Sequence, residues 1–166
     1  MAFNNKESPV DWRIVAGDLK PDGALRDIYV HDATLADWQV ALDHVRERYA
    51  PLQFLVDGQP ADLPGQVADI FPIWERASPL LNFNLSGIDV ACHFFTGEQI
   101  EFDLRPEEVT GPERLASLIS FLRELATAVG KPAVLTMENM PNAVILRADP
   151  ASGAVVWMPS SDDTAN

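Results

Sequence analysis

The residues best suited to chemistry are His93 and the carboxylates Asp89, Glu101 and Asp103, carried by the run IDVACHFFTGEQIEFDL. They alternate with apolar residues on two successive segments, so a hairpin would set them on one face, some within about 5 Å across the ladder. An imidazole among carboxylates titrates near neutral pH and can serve as a general base or bind a divalent metal. Which groups meet depends on the connection. A three-residue loop at 95–97, with Gly97 left-handed, aligns the apolar residues but places Asp89 opposite Asp103, which calls for a cation or a basic partner between them. Moving the loop to 96–98 pairs His93 with Glu101 instead. The same face also reads as the solvated side of an amphipathic sheet. No residue is assigned to catalysis and none to a metal.

The other reactive side chains offer less. His31 and Asp32 stand where a strand enters a helix, and Asp32 suits helix capping. His44 flanks the apolar stripe of that helix and reads as a surface residue. Cys92, the only cysteine, lies on the apolar side beside Val90 and Phe94; it excludes an internal disulfide and a multi-cysteine zinc cage. Trp74, in the segment FPIWERASP, reads either as core or as the kind of aromatic anchor that dominates binding energy. The sequence holds no phosphate-binding glycine loop, no dinucleotide fingerprint, no H-E-x-x-H, no G-x-S-x-G and no EF-hand loop. No cofactor is expected.

The elements that position these residues follow from periodicity. Alternation predicts strands at 10–15, 27–31, 52–57, 80–85, 88–94, 99–104 and 133–137, with a last hairpin from 143–147 and 154–158. A turn at Ser86-Gly87 pairs Leu85 with Ile88, Phe83 with Val90 and Leu81 with Cys92. One helix begins at Thr34 as N-cap with Asp37 completing a capping box, carries Leu35, Trp38, Ala41, Leu42, Val45 and Tyr49 on one stripe, and stops at Pro51. A second has Pro112 in its first turn, with Thr110 a candidate N-cap, and closes at Gly130; Leu115, Leu118, Ile119, Leu122, Leu125, Ala126 and Val129 form its stripe. A third, short helix fits 65–71, disturbed by Pro72. The expected architecture is α+β: a mostly antiparallel, curved sheet of about nine strands with two main helices packed on one face.

Length and composition bound the rest. The chain has 166 residues, suiting one domain over 10–159 with a flexible arm at 1–9 and a disordered tail at 160–166. Its 47% apolar residues suffice for a core. No apolar run approaches the roughly 20 residues needed to cross a bilayer, and the N-terminus lacks the apolar core of a secretory signal, so no membrane association and a cytoplasmic location are expected. The net charge of −13 argues against nucleic acid and for a basic protein as partner. Acids concentrate between Ala50 and Leu104, where eight (Asp57, Asp62, Asp69, Glu75, Asp89, Glu98, Glu101 and Asp103) face the single base Arg76.

At RDIYVHDATLADWQVALDHV, HFFTGEQIEFDL and NMPNAVILRADPASG the chain resembles a group of small, acidic, uncharacterised bacterial proteins, and its size and acidity are similar to those of polymorphic-toxin immunity proteins. The resemblance implies an intracellular bacterial protein that works by binding, and it transfers no catalytic residue. The function expected first is therefore a non-enzymatic acidic binding protein, immunity- or adaptor-like, that engages a basic protein through Asp89, His93, Glu101, Asp103 and Trp74. A secretion-chaperone-like binder of an extended segment is one alternative. A metal-binding protein or enzyme centred on His93 with Glu101 and Asp103 is the other.

Overall fold

Nine strands and three α-helices form in the computed structural model, which describes residues 10–159. In chain order they are α1 (Trp12–Val15), β1 (Arg26–Val30), α2 (Leu35–Arg48), β2 (Gln53–Val56), β3 (Gln59–Pro60), β4 (Pro79–Leu85), β5 (Ile88–Thr96), β6 (Gln99–Leu104), α3 (Pro112–Val129), β7 (Ala133–Met137), β8 (Met140–Ala148) and β9 (Val155–Trp157). The expected arm at 1–9 and tail at 160–166 lie outside the described residues.

All strands join one antiparallel, unclosed sheet in the order β3-β2-β4-β5-β6-β1-β7-β8-β9. Strict alternation in β4, β5 and β6 sends Phe83, Val90, Cys92, Ile100, Phe102 and their apolar neighbours to one face. The two long helices cover that face. Trp38 of α2 stacks on Phe94 with ring centroids 5.3 Å apart, and Phe121 of α3 meets Phe102 edge-on at 5.3 Å. The core is one continuous apolar cluster between helices and sheet, and burial of that area dominates folding.

Local chemistry places the helix ends. Thr34 accepts from the Asp37 amide while Asp37 accepts from the Thr34 amide, a reciprocal capping box. At the far end of α3, Gly130 takes the left-handed conformation with φ 77° that ends helices. The N-cap of α3 is Gly111 rather than Thr110, and no side chain caps it. Leu35 does not join the buried stripe of α2; half of it stays exposed.

The structure corrects several strand and loop expectations. Residues 10–15 form no strand. The side chain of Asp11 caps the single turn α1, and a 3-10 turn, Ala16–Leu19, continues it. Val15 and Leu19, four residues apart, point into the core, whereas Ile14 is exposed; the helical spacing buries more than the alternation would. The ninth strand is instead the two-residue β3. The segment expected as a short helix at 65–71 is two 3-10 turns, Val67–Asp69 and Phe71–Glu75, and Pro72 is accommodated at the start of the second. The MENMPN loop shrinks to a turn at Glu138 and Asn139, so β8 already begins at Met140. Among the described residues no helix is long and apolar enough to cross a membrane.

Candidate functional site

The β4–β5 register is the expected one, with Leu85 opposite Ile88, Phe83 opposite Val90 and Leu81 opposite Cys92. The β5–β6 register is not the one built on a 95–97 loop but carries the His93–Glu101 pairing of the 96–98 alternative. His93 lies opposite Glu101 and Ala91 opposite Asp103, with an irregularity between His93 and Thr96 before Thr96 meets Gln99. A bulge absorbs one residue there and keeps apolar opposite apolar down to Val90–Leu104. Asp89 therefore never faces Asp103. It is exposed, lies opposite Asn84, and accepts from the Asn84 amide at 2.8 Å.

On the face away from α2 and α3, the ladders align two polar rows. One row runs His93–Glu101–Tyr29; the other runs Ala91–Asp103–Asp27–Thr136. Nε2 of His93 lies 2.6 Å from Oδ2 of Asp103, linking the rows diagonally. The Tyr29 hydroxyl donates to Asp27 Oδ2 at 2.9 Å, and the Asn139 backbone amide, from the β7–β8 turn, donates to the same oxygen at 2.7 Å. Asp27 and Tyr29 are buried, while His93, Glu101 and Asp103 stay half-buried.

Burial and mutual repulsion set the electrostatics. The Asp27 carboxyl is held above its ordinary pKa first by burial, against the two hydrogen bonds it accepts, with Asp103 and Glu138 adding to the rise. Glu101 is raised first by burial and then by Asp27. His93 is raised first by its hydrogen bond to Asp103, against the burial that opposes its charge. The Tyr29 phenol is pushed up by burial and by the carboxylates around it, so it stays a donor. The site thus sets three carboxyl groups around one imidazole.

Of the expected site residues, the structure unites His93, Glu101 and Asp103, while Asp89 lines a neighbouring cleft with Asp103 and pairs with Asn84. Trp74 lies along the chain of rings that leads away from His93. The His93 and Phe95 rings stack at 4.9 Å with an interplanar angle of 1°, and Phe95 and Trp74 follow at 5.6 Å. The indole Nε1 of Trp74 donates to the Phe94 carbonyl at 2.6 Å, and the side chain remains 39% exposed, enough to contact a partner. Asp27 and Tyr29 are the members that sequence reasoning missed. Their alternation with Ile28 and Val30 marks a face, but only the insertion of β1 between β6 and β7 brings that face beside Glu101 and Asp103.

The remaining sequence candidates are structural. Thr34 caps α2, whereas Asp32 adopts a left-handed φ of 54° and its carbonyl accepts from Lys131 at 2.6 Å. Nδ1 of His31 lies 3.0 Å from the Gln99 side-chain oxygen. His44 is not a free surface residue: it is half-buried, with Nε2 3.3 Å from Glu124 of α3. Cys92 is buried and its thiol is pushed well up by that burial, so it forms no thiolate. Among the described residues, no group of three or more His, Cys, Asp or Glu side chains is arranged to hold a metal ion.

Fold and site together define an open antiparallel α+β sheet with one face sealed by helices and a carboxylate–imidazole cluster on the other. No protein-family model matches the sequence, and no curated protein or solved structure matches the chain.

Proposed function

We propose that the protein acts by binding rather than catalysis, presenting the open face of its sheet to a basic protein in the manner of an immunity or adaptor protein. One observation carries this reading: Asp27 lies directly opposite Asp103 on adjacent strands, with Glu101 one ladder step away, on the face the helices leave free. Like charges opposed across a ladder are unfavourable, and burial adds to that cost for Asp27 and Glu101. A lysine or arginine from a partner offsets both terms at once. The net charge of −13 would speed the encounter with such a partner.

The test is capture by the immobilised full chain at low salt. The expected partner is basic, is released as salt rises, and is lost on Glu101→Lys or Asp103→Lys. Unchanged capture after both reversals rules out this face. A toxin as the captured protein gives the immunity form of the reading, and a secreted client the chaperone form.

The 2.6 Å contact between His93 and Asp103 supports a second reading, an enzyme with His93 as general base beside Glu101. An activity abolished by His93→Ala, with the fold intact, would replace the binding reading.

A further inference from the structure

Exposed apolar side chains are not spread evenly over the described residues. Three of the eight large exposed hydrophobics, Leu35, Trp74 and Phe95, line a single groove of about 590 Å³ together with Ala68, Phe71 and Pro72. It lies between the start of α2, the turn Phe71–Glu75 and the end of the β5–β6 hairpin. The rigid parts of its wall are fixed from behind. The Trp74 indole is tied to the Phe94 carbonyl, and the buried Trp38 ring packs edge-on against Phe71 at 5.5 Å.

Charge indicates what the groove accepts. The only ionisable residue among those lining it is Glu75; of the charged residues that adjoin lining residues in the chain, Asp69 and Glu98 are acids and Arg76 is a base, so acids outnumber bases three to one. The groove also borders the carboxylate cluster through one shared ring. Phe95 forms part of its wall and stacks on His93, which contacts Asp103 and faces Glu101.

We infer that groove and cluster are two halves of one docking site for an extended, basic–apolar segment of the partner protein. A large apolar side chain sits among Leu35, Phe71, Trp74 and Phe95, and a lysine or arginine lies over Glu101 and Asp103. An extended chain rises about 3.3 Å per residue, so the rings between the two subsites correspond to a spacing of about two to four residues. The apolar residue supplies the anchor, since a large side chain in a preformed pocket carries most of the energy in such interfaces, and the cation supplies orientation. The inference rests on the binding reading above and specifies the partner's contact segment.

The experiment is to pan a random linear peptide library on the full chain at low salt. Synthetic copies of the enriched peptides are then titrated, by fluorescence anisotropy, against the protein and its Phe95→Ser, Leu35→Ser and Glu101→Gln variants. Leu35→Ser serves as the second groove variant because Leu35 is half exposed at a helix start. The expected consensus has a large apolar residue and a Lys or Arg at the stated spacing. Each groove variant should weaken it about tenfold, and Glu101→Gln or added salt several-fold. Full affinity in both groove variants, with loss in Glu101→Gln, would overturn the two-part site and leave the binding reading standing. Purely apolar peptides insensitive to salt and to Glu101→Gln would overturn both. Failure to enrich any peptide, or a dimer of the chain that dissociates in Phe95→Ser, would overturn the inference, the dimer by making a second copy the occupant.

Discussion

His93 contacts Asp103 rather than the residue opposite it. The ladder partner of His93 is Glu101, and that of Asp103 is Ala91, yet Nε2 of His93 lies 2.6 Å from Oδ2 of Asp103. The diagonal reach lets one imidazole serve two carboxylates on β6, and through Asp103 it touches the row that holds Asp27.

That contact has a pH signature. The hydrogen bond to Asp103 raises the folded-state pKa of His93. Its stabilisation is therefore complete below the unfolded value of about 6.5 and is lost as pH rises through the higher folded value. Asp103→Asn should lower the His93 titration midpoint seen by NMR and cost about 1–2 kcal/mol at pH 6, with little cost at pH 9. A midpoint that stays in place in this variant would assign the shift to Glu101 and contradict the diagonal pair.

Asp27 should follow pH in the same direction, but as a penalty that appears rather than a gain that is lost. Burial raises its folded pKa, so the folded state holds that proton more tightly than the unfolded chain does. Its contribution to stability falls as pH rises from the unfolded value of about 4 through the raised folded value, and the penalty persists at neutrality. Both donors, the Tyr29 hydroxyl and the Asn139 amide, use the same oxygen, which the amide of an asparagine can still offer. Asp27→Asn should gain about 0.5–1.5 kcal/mol at pH 7 in denaturant unfolding and almost nothing at pH 3, while weakening partner binding. A loss of stability at pH 7 would show that the two donors need the anion.

How much of this was legible depends on distance along the chain. Residues 80–94 alternate so strictly that Leu85–Ile88, Phe83–Val90 and Leu81–Cys92 could be paired from sequence alone. Thr34 with Asp37, and Pro112 with Gly130, marked α2 and α3 because capping chemistry is local. Apolar alternation allows either β5–β6 register; the observed one carries the His93–Glu101 pairing of the 96–98 alternative, and it leaves Asp89 meeting Asp103 only across a shared cleft. Asp27 and Tyr29 joined the site through pairings with residues far along the chain, and such pairings leave no local period. At 10–15 the alternation was real, but Asp11 could cap a helical turn there, and the spacing of Val15 and Leu19 decided between the two.

Arg26 shows how β1 is held. Only 1% exposed, its guanidinium donates to the carbonyls of Asp18, Lys20 and Leu25 and to both oxygens of Asp22. The fork thereby ties the loop after α1 to the start of β1. A lysine ammonium cannot reproduce that planar set and would leave carbonyls without this donor. Arg26→Lys should cost about 2–4 kcal/mol in urea unfolding and open the 18–25 loop to proteolysis. A loss below about 0.5 kcal/mol would mean that water replaces the fork.

Trp38 couples the core to the bulge on which the site depends. Its indole Nε1 donates to the Thr96 carbonyl at 3.0 Å, at the point where the β5–β6 register changes. The same turn is held at Glu98, whose carbonyl accepts from the Ala33 amide at 2.8 Å just ahead of α2. Trp38→Phe keeps an aromatic ring against Phe94 and Phe71 but deletes the donor and part of the volume. The expected loss is about 2–3 kcal/mol, combining an unmet carbonyl with a small cavity. Amide exchange separates this account from loss of packing alone. If the Thr96 bond holds the bulge, exchange should accelerate selectively at 94–99, and His93 and Phe95 should lose their fixed stack, while 80–85 stays protected. Acceleration spread along α2, with 94–99 unchanged, would show that Trp38 matters only as core volume and that the bulge is held by the ladder itself.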